Sequence, residues 1–250
     1  MKTIAFFNVK GGVGKTTSAV NIAYLAAQDQ LQTVLWDLDA QSCSSWYLGV
    51  DDDSPHKAIR VLKGKTPVGK LRVTTPFDHL EVIPADISLR KAEALLAEEG
   101  QSKTLLSKLA DHLSERSQLL IFDCAPTFSK LSENILTSAD LLVVPMLPSP
   151  LSLRAFEQLN EFVRSKKQWK RLKLQPIFTM VDRRRSIHNE VIEKAQEQVG
   201  EAHPIVIPYA SELEKMGTHR APLHTFAKSG KAAQAYNECW ALLKERYDLR

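Results

Sequence analysis

Val9-Lys10-Gly11-Gly12-Val13-Gly14-Lys15-Thr16-Thr17 follows the apolar run Ile4-Ala5-Phe6-Phe7 and precedes an amphipathic stretch, and its reading decides the fold. Glycines let successive backbone N–H groups turn towards an anion, and the start of the next helix adds a partial positive charge. Lys15 is placed to reach the β- and γ-phosphates of a nucleotide, and the Thr16 hydroxyl to ligate Mg²⁺. The usual spacing puts a glycine five residues before Gly14-Lys15-Thr16, but here that position is Val9 and a second lysine, Lys10, begins the loop. Strand before, helix after and Gly-Lys-Thr-Thr between distinguish this from an incidental glycine turn. The pattern predicts a nucleoside triphosphate site.

Outward from the loop, apolar bursts of strand length alternate with helix-period segments. The strands expected are Thr3–Val9, Thr33–Asp39, Leu80–Pro84, Gln118–Asp123, Asp140–Leu147, Leu174–Val181 and Pro204–Pro208. Helices are expected over 16–29, 88–98, 102–116, 131–138, 151–167, 187–199 and 231–247. Near-continuous apolar strands such as Leu119-Leu120-Ile121-Phe122 suit a parallel sheet covered on both faces. The alternation predicts a doubly wound α/β fold, with ligands at the carboxyl ends of the strands. Residues 49–56 and 64–70 read as loops, and Asp51-Asp52-Asp53 as a solvated turn. No Pro/Gly/Ser-rich linker or internal repeat divides the 250 residues, so one domain over 1–250 is expected.

Bulk composition excludes several classes. A net charge of +4 leaves nucleic-acid affinity to local patches rather than to global excess. Cys43, Cys124 and Cys239 are odd in number and far apart, which predicts reduced thiols in a cytoplasmic setting. None of the seven histidines forms an H-x-x-x-H pair. No apolar run reaches membrane-spanning length, and Met1-Lys2-Thr3 leads straight into the first strand, so no signal peptide is expected. An NAD site is excluded because G-x-G-x-x-G is missing.

Two carboxylates stand where a bound magnesium nucleotide needs them. The second strand ends Leu35-Trp36-Asp37-Leu38-Asp39-Ala40-Gln41, and alternation puts Asp37 and Asp39 on one side with Asp39 nearer the loop. The run Leu119-Leu120-Ile121-Phe122-Asp123 closes on one aspartate, the Walker-B pattern that positions the Mg²⁺ shell. Aspartates also end strands as turn formers or caps. Two of them downstream of a phosphate loop favour the metal role.

Lys10-Gly11-Gly12-Val13-Gly14-Lys15-Thr16-Thr17, Asp37-Leu38-Asp39-Ala40-Gln41 and Asp123-Cys124-Ala125-Pro126 together resemble the deviant Walker-A ATPases of the ParA/MinD/Soj family, most of all short ParA-type partition ATPases lacking an N-terminal DNA-binding extension. Phe178-Thr179-Met180-Val181-Asp182-Arg183, Ile207-Pro208 and Lys231-Ala232-Ala233-Gln234-Ala235-Tyr236 extend the likeness over nearly the whole chain. The resemblance implies a Mg²⁺-dependent ATPase that forms an ATP-dependent sandwich homodimer. Lys10 then crosses to the partner copy's phosphates, and Lys15 and residues 11–17 hold the nucleotide. Asp39 orients the attacking water and stands near the metal with Thr16. Asp123 holds the Mg²⁺ shell through water and senses the γ-phosphate through 125–130. Met180, Asp182 and Pro208 surround the adenine.

The resemblance further implies non-specific DNA binding, a ParB-like or other adaptor that stimulates hydrolysis, and a cytoplasmic, nucleoid-associated site of action on plasmid, chromosome or protein cargo. Candidate DNA contacts are Arg183-Arg184-Arg185, Lys228 and Lys231, with Lys166-Lys167 and Lys170-Arg171 as further basic groups. Ala40 and Ala125 replace prolines common in the family. Tyr209 stands where many relatives carry a DNA-binding arginine, so Arg220 or Lys215 has to compensate. The alternative is a MinD-like switch on a membrane surface, which needs a detachable amphipathic helix. The stripe Tyr236, Cys239, Trp240, Leu243 and Tyr247 is read instead as core packing.

Overall fold

The computed structural model describes residues 1–51, 58–97, 104–199 and 203–249. The first half runs β1 (Lys2–Phe6), α1 (Lys15–Gln28), β2 (Thr33–Leu38), α2 (Cys43–Tyr47), α3 (Ala58–Leu62), β3 (Val73–Thr74) and β4 (Leu80–Ile83). It continues through α4 (Ala92–Ala97), α5 (Leu105–Leu113), β5 (Leu119–Cys124), α6 (Lys130–Ser138) and β6 (Leu141–Met146). The second half adds α7 (Pro150–Ser165), β7 (Lys173–Val181), α8 (Ser186–Val199) and β8 (Ile205–Pro208). Three short helices follow, α9 (Ser211–Glu214), α10 (Met216–His219) and α11 (His224–Ala227), before α12 (Lys231–Tyr247).

The strands form one sheet in the order β3-β4-β2-β5-β1-β6-β7-β8, parallel except for β3 at the edge. Every residue of β2, β5 and β6 is buried, as the continuous apolar runs require for a sheet covered on both faces. Alternate side chains divide the core in two. Ile4, Phe6, Leu35 and Ile121 pack with residues of α1 and α12 on one face, while Phe7, Trp36, Phe122 and Leu142 pack with those of α3 to α8 on the other. Pro145 lies inside a central strand, which proline normally interrupts. The ladder from β1 ends at Phe6–Val143, and the Asn8 side-chain amide donates to the Pro145 carbonyl at 2.8 Å.

All seven expected strands occur, though the first ends at Phe6 and the second at Leu38, so Asp39 lies beyond its strand. The helix expected over 88–98 begins as a 3₁₀ turn, Ile87–Lys91, before α4. Residues 52–56 of the expected loop, including Asp52 and Asp53, fall outside the described residues, as do parts of the helices expected over 88–98 and 102–116. Inside the second expected loop, Val68–Leu71 is a 3₁₀ turn with Val68 and Leu71 buried.

Two packing features bear on function. The α12 stripe is core: Tyr236, Cys239, Trp240 and Leu243 are buried, and the Tyr236 hydroxyl lies 3.1 Å from that of Ser18 in α1. Trp240 Nε1 donates to Asp29 at 2.8 Å, and Arg246 donates to the buried Gln175 at 2.9 Å. On the other face, aromatic rings run in sequence from Phe7 through Phe128 and Phe162 to Trp169, at centroid spacings of 6.1, 5.1 and 5.5 Å. Trp169 is anchored by its indole N–H on Thr137 Oγ1 at 3.1 Å.

Candidate functional site

The loop between β1 and α1 takes its shape from two glycines in the left-handed region, Gly12 at φ +69° and Gly14 at φ +80°. Other residues adopt that region only with strain. Gly14 is the N-cap of α1 and offers no side chain, so the helix's first N–H groups stay free for an anion. Asn8 fixes the loop's entry by accepting the Lys10 N–H at 3.0 Å. Lys15 is only 7% exposed and donates from Nζ to the Lys10 carbonyl at 2.8 Å, while Lys10 itself is exposed. Burial lowers the Lys15 pKa, against the pull of Asp123, Cys124 and Asp39. The two lysines of the motif are therefore unlike: one is folded into the loop and the other stands on the surface.

Asp123 and Asp37 are register partners on neighbouring parallel strands, and both are buried. Burial pushes the Asp37 carboxyl up to about 8, with the charge of Asp123 adding to the effect and hydrogen bonds from Ser45 and the Asp39 N–H opposing it. Burial likewise pushes Asp123 up to about 6, against the hydrogen bond from Ser44 and the nearby Thr16 hydroxyl. Ser45 donates to Asp37 Oδ2 from its backbone N–H at 3.1 Å and from its hydroxyl at 2.9 Å. Ser44 Oγ donates to Asp123 Oδ2, and Asp123 Oδ1 is buried without a hydrogen-bond partner. Asp39 is half-buried, accepts the Gln41 N–H at 3.0 Å, and acts electrostatically on both Lys15 and Asp123. Lys15, Thr16, Asp39 and Asp123 thus belong to one electrostatic cluster.

This donor set fits Mg²⁺. The ion prefers hard oxygen ligands, keeps several waters and takes one or two carboxylates plus phosphate oxygens rather than a complete protein cage. Among the described residues no group of three or more His, Cys, Asp or Glu is arranged to hold an ion alone. An orphaned carboxylate oxygen beside a threonine hydroxyl and a phosphate loop suits that partial coordination.

Next to the loop lies a cavity of about 180 Å³, lined by Gly14, Thr17, Tyr47, Met180, Pro208 and Tyr209 among others. Met180 sits at φ +55°, at a register irregularity between β7 and β8. Thr179 ties this bulge to the loop through its hydroxyl, which donates to the Val13 carbonyl at 2.9 Å. Met180 and Pro208 therefore come together beside the loop, but Asp182 does not line this cavity. Its carboxylate accepts two bonds at 2.9 Å from the Arg184 guanidinium, which holds it down to about 2.

The basic candidates do not converge either. Arg183 bonds Asn189 at 3.1 Å, Arg184 is committed to Asp182, and Lys228 and Lys231 lie exposed at the approach to α12. Arg220, at φ +49°, is paired with Asp51 at 2.6 Å and its guanidinium carbon sits 4.0 Å from the Trp46 ring centroid. Tyr209 donates its hydroxyl to Glu214 at 3.1 Å. By contrast Arg164, Lys166, Lys167, Lys170, Arg171 and Lys173 are all exposed, and none makes an ion pair among the described residues.

Ser44, Ser45 and Thr179 are site residues that the sequence pattern does not single out, and Asp37 stands out there only as a neighbour of Asp39. The signal for the serines is faint: a cluster, Ser42-Cys43-Ser44-Ser45, just after a strand ending in aspartates.

Residues 1–176 match the AAA_31 family model, described as an AAA domain. The chain belongs to the AAA_31 family. The chromosome-partitioning ATPase Soj of Treponema pallidum is 29% identical over 242 residues, 95% of this AAA_31 chain and 94% of that protein. Among solved structures, cobyrinic acid a,c-diamide synthase of Mycobacterium smegmatis with bound ADP and magnesium is 28% identical, with a TM-score of 0.81 over 100% of this chain and 96% of that one. The Cyanothece McdA–ATP complex shares the fold at a TM-score of 0.86 and 20% identity, covering 98% and 95% of the two chains. The resemblance to the ParA/MinD/Soj ATPases drawn from the motifs is upheld by these relatives.

Proposed function

We propose that this AAA_31 chain is a ParA-type ATPase, one catalytic domain over 1–250, that binds Mg–ATP, dimerises around it, and positions plasmid, chromosome or protein cargo from the nucleoid. The observation that carries the reading is the contrast between its two loop lysines. Lys15 is buried where it serves the phosphates of its own chain, while Lys10 stands exposed beside Val9. Exposed Phe128, Leu151 and Tyr209 follow the carboxyl ends of β5, β6 and β8 on the same edge. Leu151 is 70% exposed, and a second copy seated on this edge covers these apolar groups while bringing its own Lys10 to the first copy's phosphates.

In this reading the free N–H groups at the start of α1 bind phosphate oxygens, and Lys15 holds the β- and γ-phosphates as a point charge. Thr16 and Asp123 would hold Mg²⁺, which when bound supplies positive charge against the developing phosphoryl charge. Asp39 orients the attacking water from its half-buried position and accepts a hydrogen bond from it at a carboxylate oxygen. Lys10 of the partner copy adds a second cation to the same oxygens. Met180, Pro208, Tyr47 and Tyr209 form the walls for the base, with no role for Asp182. DNA binds without sequence preference through surface cations, and a ParB-like or other adaptor accelerates hydrolysis.

A membrane-surface switch is disfavoured by α12. Its apolar stripe is buried against α1 and the sheet and cannot serve a bilayer without unmaking the core. No helix among the described residues is long and apolar enough to cross a membrane.

The test is light scattering and duplex-DNA binding with ATP, ADP and no nucleotide, at two salt concentrations, using Asp39→Ala to hold the ATP state. The expected result is a dimer, and salt-sensitive DNA binding, with ATP alone. A monomer under all conditions sinks the sandwich reading; a dimer that ignores DNA moves the cargo surface elsewhere.

A further inference from the structure

Three serines nail the turn between β2 and α2 to three different parts of the sheet. Ser42 Oγ donates to the Ala85 carbonyl at 3.0 Å, just beyond β4, and Ser42 holds φ +54°, a conformation that persists only where neighbours over-determine it. Ser45 secures Asp37 on β2 through two bonds. Ser44, with no exposed surface, reaches Asp123 on β5. The anchors at Ser42 and Ser45 hold both ends of the short stretch that contains Ser44, and so restrict where its hydroxyl can lie.

Ser44 is therefore a preorganised donor on one oxygen of the carboxylate whose other oxygen, Oδ1, has no protein partner. A carboxylate held at one oxygen presents the other in a fixed direction. The Thr16 hydroxyl and the Lys15 ammonium act on the same carboxylate from the loop side. We propose that Ser44 is a positioning residue for magnesium: it fixes Asp123 so that Oδ1 serves the metal shell, and it sets how tightly the ion is held. The proposal rests on the Mg–nucleotide reading above. It assigns to α2, a helix of five residues, a share in metal affinity that the motif residues alone do not carry.

Partners that orient a metal's carboxylates matter almost as much as the ligands, and their removal weakens metal binding about tenfold to a hundredfold. A merely structural hydroxyl behaves differently, because its loss lowers stability without moving the ion's affinity.

The experiment follows fluorescent N-methylanthraniloyl-ADP on the full chain, first in EDTA and then across a MgCl₂ titration, with melting temperature measured in parallel. Ser44→Ala is expected to bind ADP in EDTA like the wild type, yet to need about tenfold more Mg²⁺ to reach the metal-dependent signal. Ser44→Thr restores the midpoint, and Ser44→Cys, which keeps a weaker donor in a similar volume, falls between. Should Ser44→Ala fail to fold, the Thr and Cys variants carry the comparison, and equal midpoints for both at the wild-type value overturn the proposal. A wild type that responds to Mg²⁺ while Ser44→Ala titrates identically overturns the proposal alone. A wild type whose ADP signal ignores Mg²⁺ overturns the reading beneath it as well.

Discussion

The carboxyl edge of the sheet has two halves that treat charge in opposite ways. Around β2, β5 and β1, Asp37, Asp123 and Lys15 are all buried, and each acts on the others or is held by a fixed neighbour. Around β7 and β8, Asp182, Arg183, Arg184 and Tyr209 are paired with residues two to six positions away in their own surface loops. Buried charge is costly unless it is used or compensated, so the first half is built around a cation and a phosphate. Exposed charge costs little, so the second half can satisfy itself locally and need not point at a ligand. A motif read from sequence holds its meaning where burial forces side chains to converge.

Replacing one residue at a time in each half shows how deep that contrast goes. Lys15→Ala removes the buried ammonium and is expected to abolish turnover and weaken nucleotide binding by about 100-fold, since a charge-assisted bond contributes roughly 1.5–3 kcal/mol. Isothermal titration with ATP checks this, and retained affinity removes the loop from its role. Asp39→Ala should keep ATP affinity and lower turnover by about 100-fold, the lower range for a lost general acid–base group; phosphate release measures it.

The buried carboxylates also give the chain a pH signature. The folded-state pKa values of Asp37 and Asp123 lie above ordinary carboxylate values, so without metal the folded chain holds protons that the unfolded chain releases. Stability conferred at low pH is then lost as pH rises from about 4, the unfolded value, through about 6 and about 8. Asp37→Asn, neutral at every pH, should flatten the decline and raise the metal-free melting temperature at pH 8 by roughly 2–4 °C for each kcal/mol regained. A melting series across pH in EDTA decides it, and an unchanged slope removes Asp37 from the cause.

In the exposed half the effects shrink. Replacing Arg183, Arg184 and Arg185 by alanine is expected to weaken DNA binding uniformly across sequences, with Arg184 contributing least because Asp182 already neutralises it. Replacing Lys166, Lys167, Lys170 and Arg171 should cost more and flatten the salt dependence by about 0.9 for each phosphate that is no longer neutralised. Binding measured against salt ranks the two surfaces, and a larger loss from the arginine set reverses the comparison.

The legible parts of the molecule follow the same division. The phosphate loop is readable because glycine freedom, a lysine and a hydroxyl within a few residues make a local chemistry. All parallel strands are readable because burial on both faces writes itself as continuous apolar runs. Strand register is not, so nothing in the sequence sets Asp37 opposite Asp123, although that pairing adds the charge of Asp123 to the burial that raises Asp37. Helices of four or five residues, α2, α3 and α9 to α11, are too short for their period to show in the sequence, and Ser44 and Ser45 are hidden with α2. The two-stranded edge at β3 is too short to alternate. The pairing of Asp182 with Arg184, two residues on, is likewise not written in the family likeness that places Asp182 at the base.

The row of rings from Phe7 to Trp169 gives the chain a built-in optical gauge. Phe128 lies in the segment after β5 that the proposed reading couples to the γ-phosphate, and it meets Phe7 and Phe162 edge-on. Phe128 is open to solvent on one side and meets Phe162 on the other, so a movement of Phe128 is expected to shift Phe162 and, through it, the indole of Trp169, one of four tryptophans in the chain. The emission colour of that indole, isolated by replacing the other three with phenylalanine, becomes a dye-free clock for each round of binding and release.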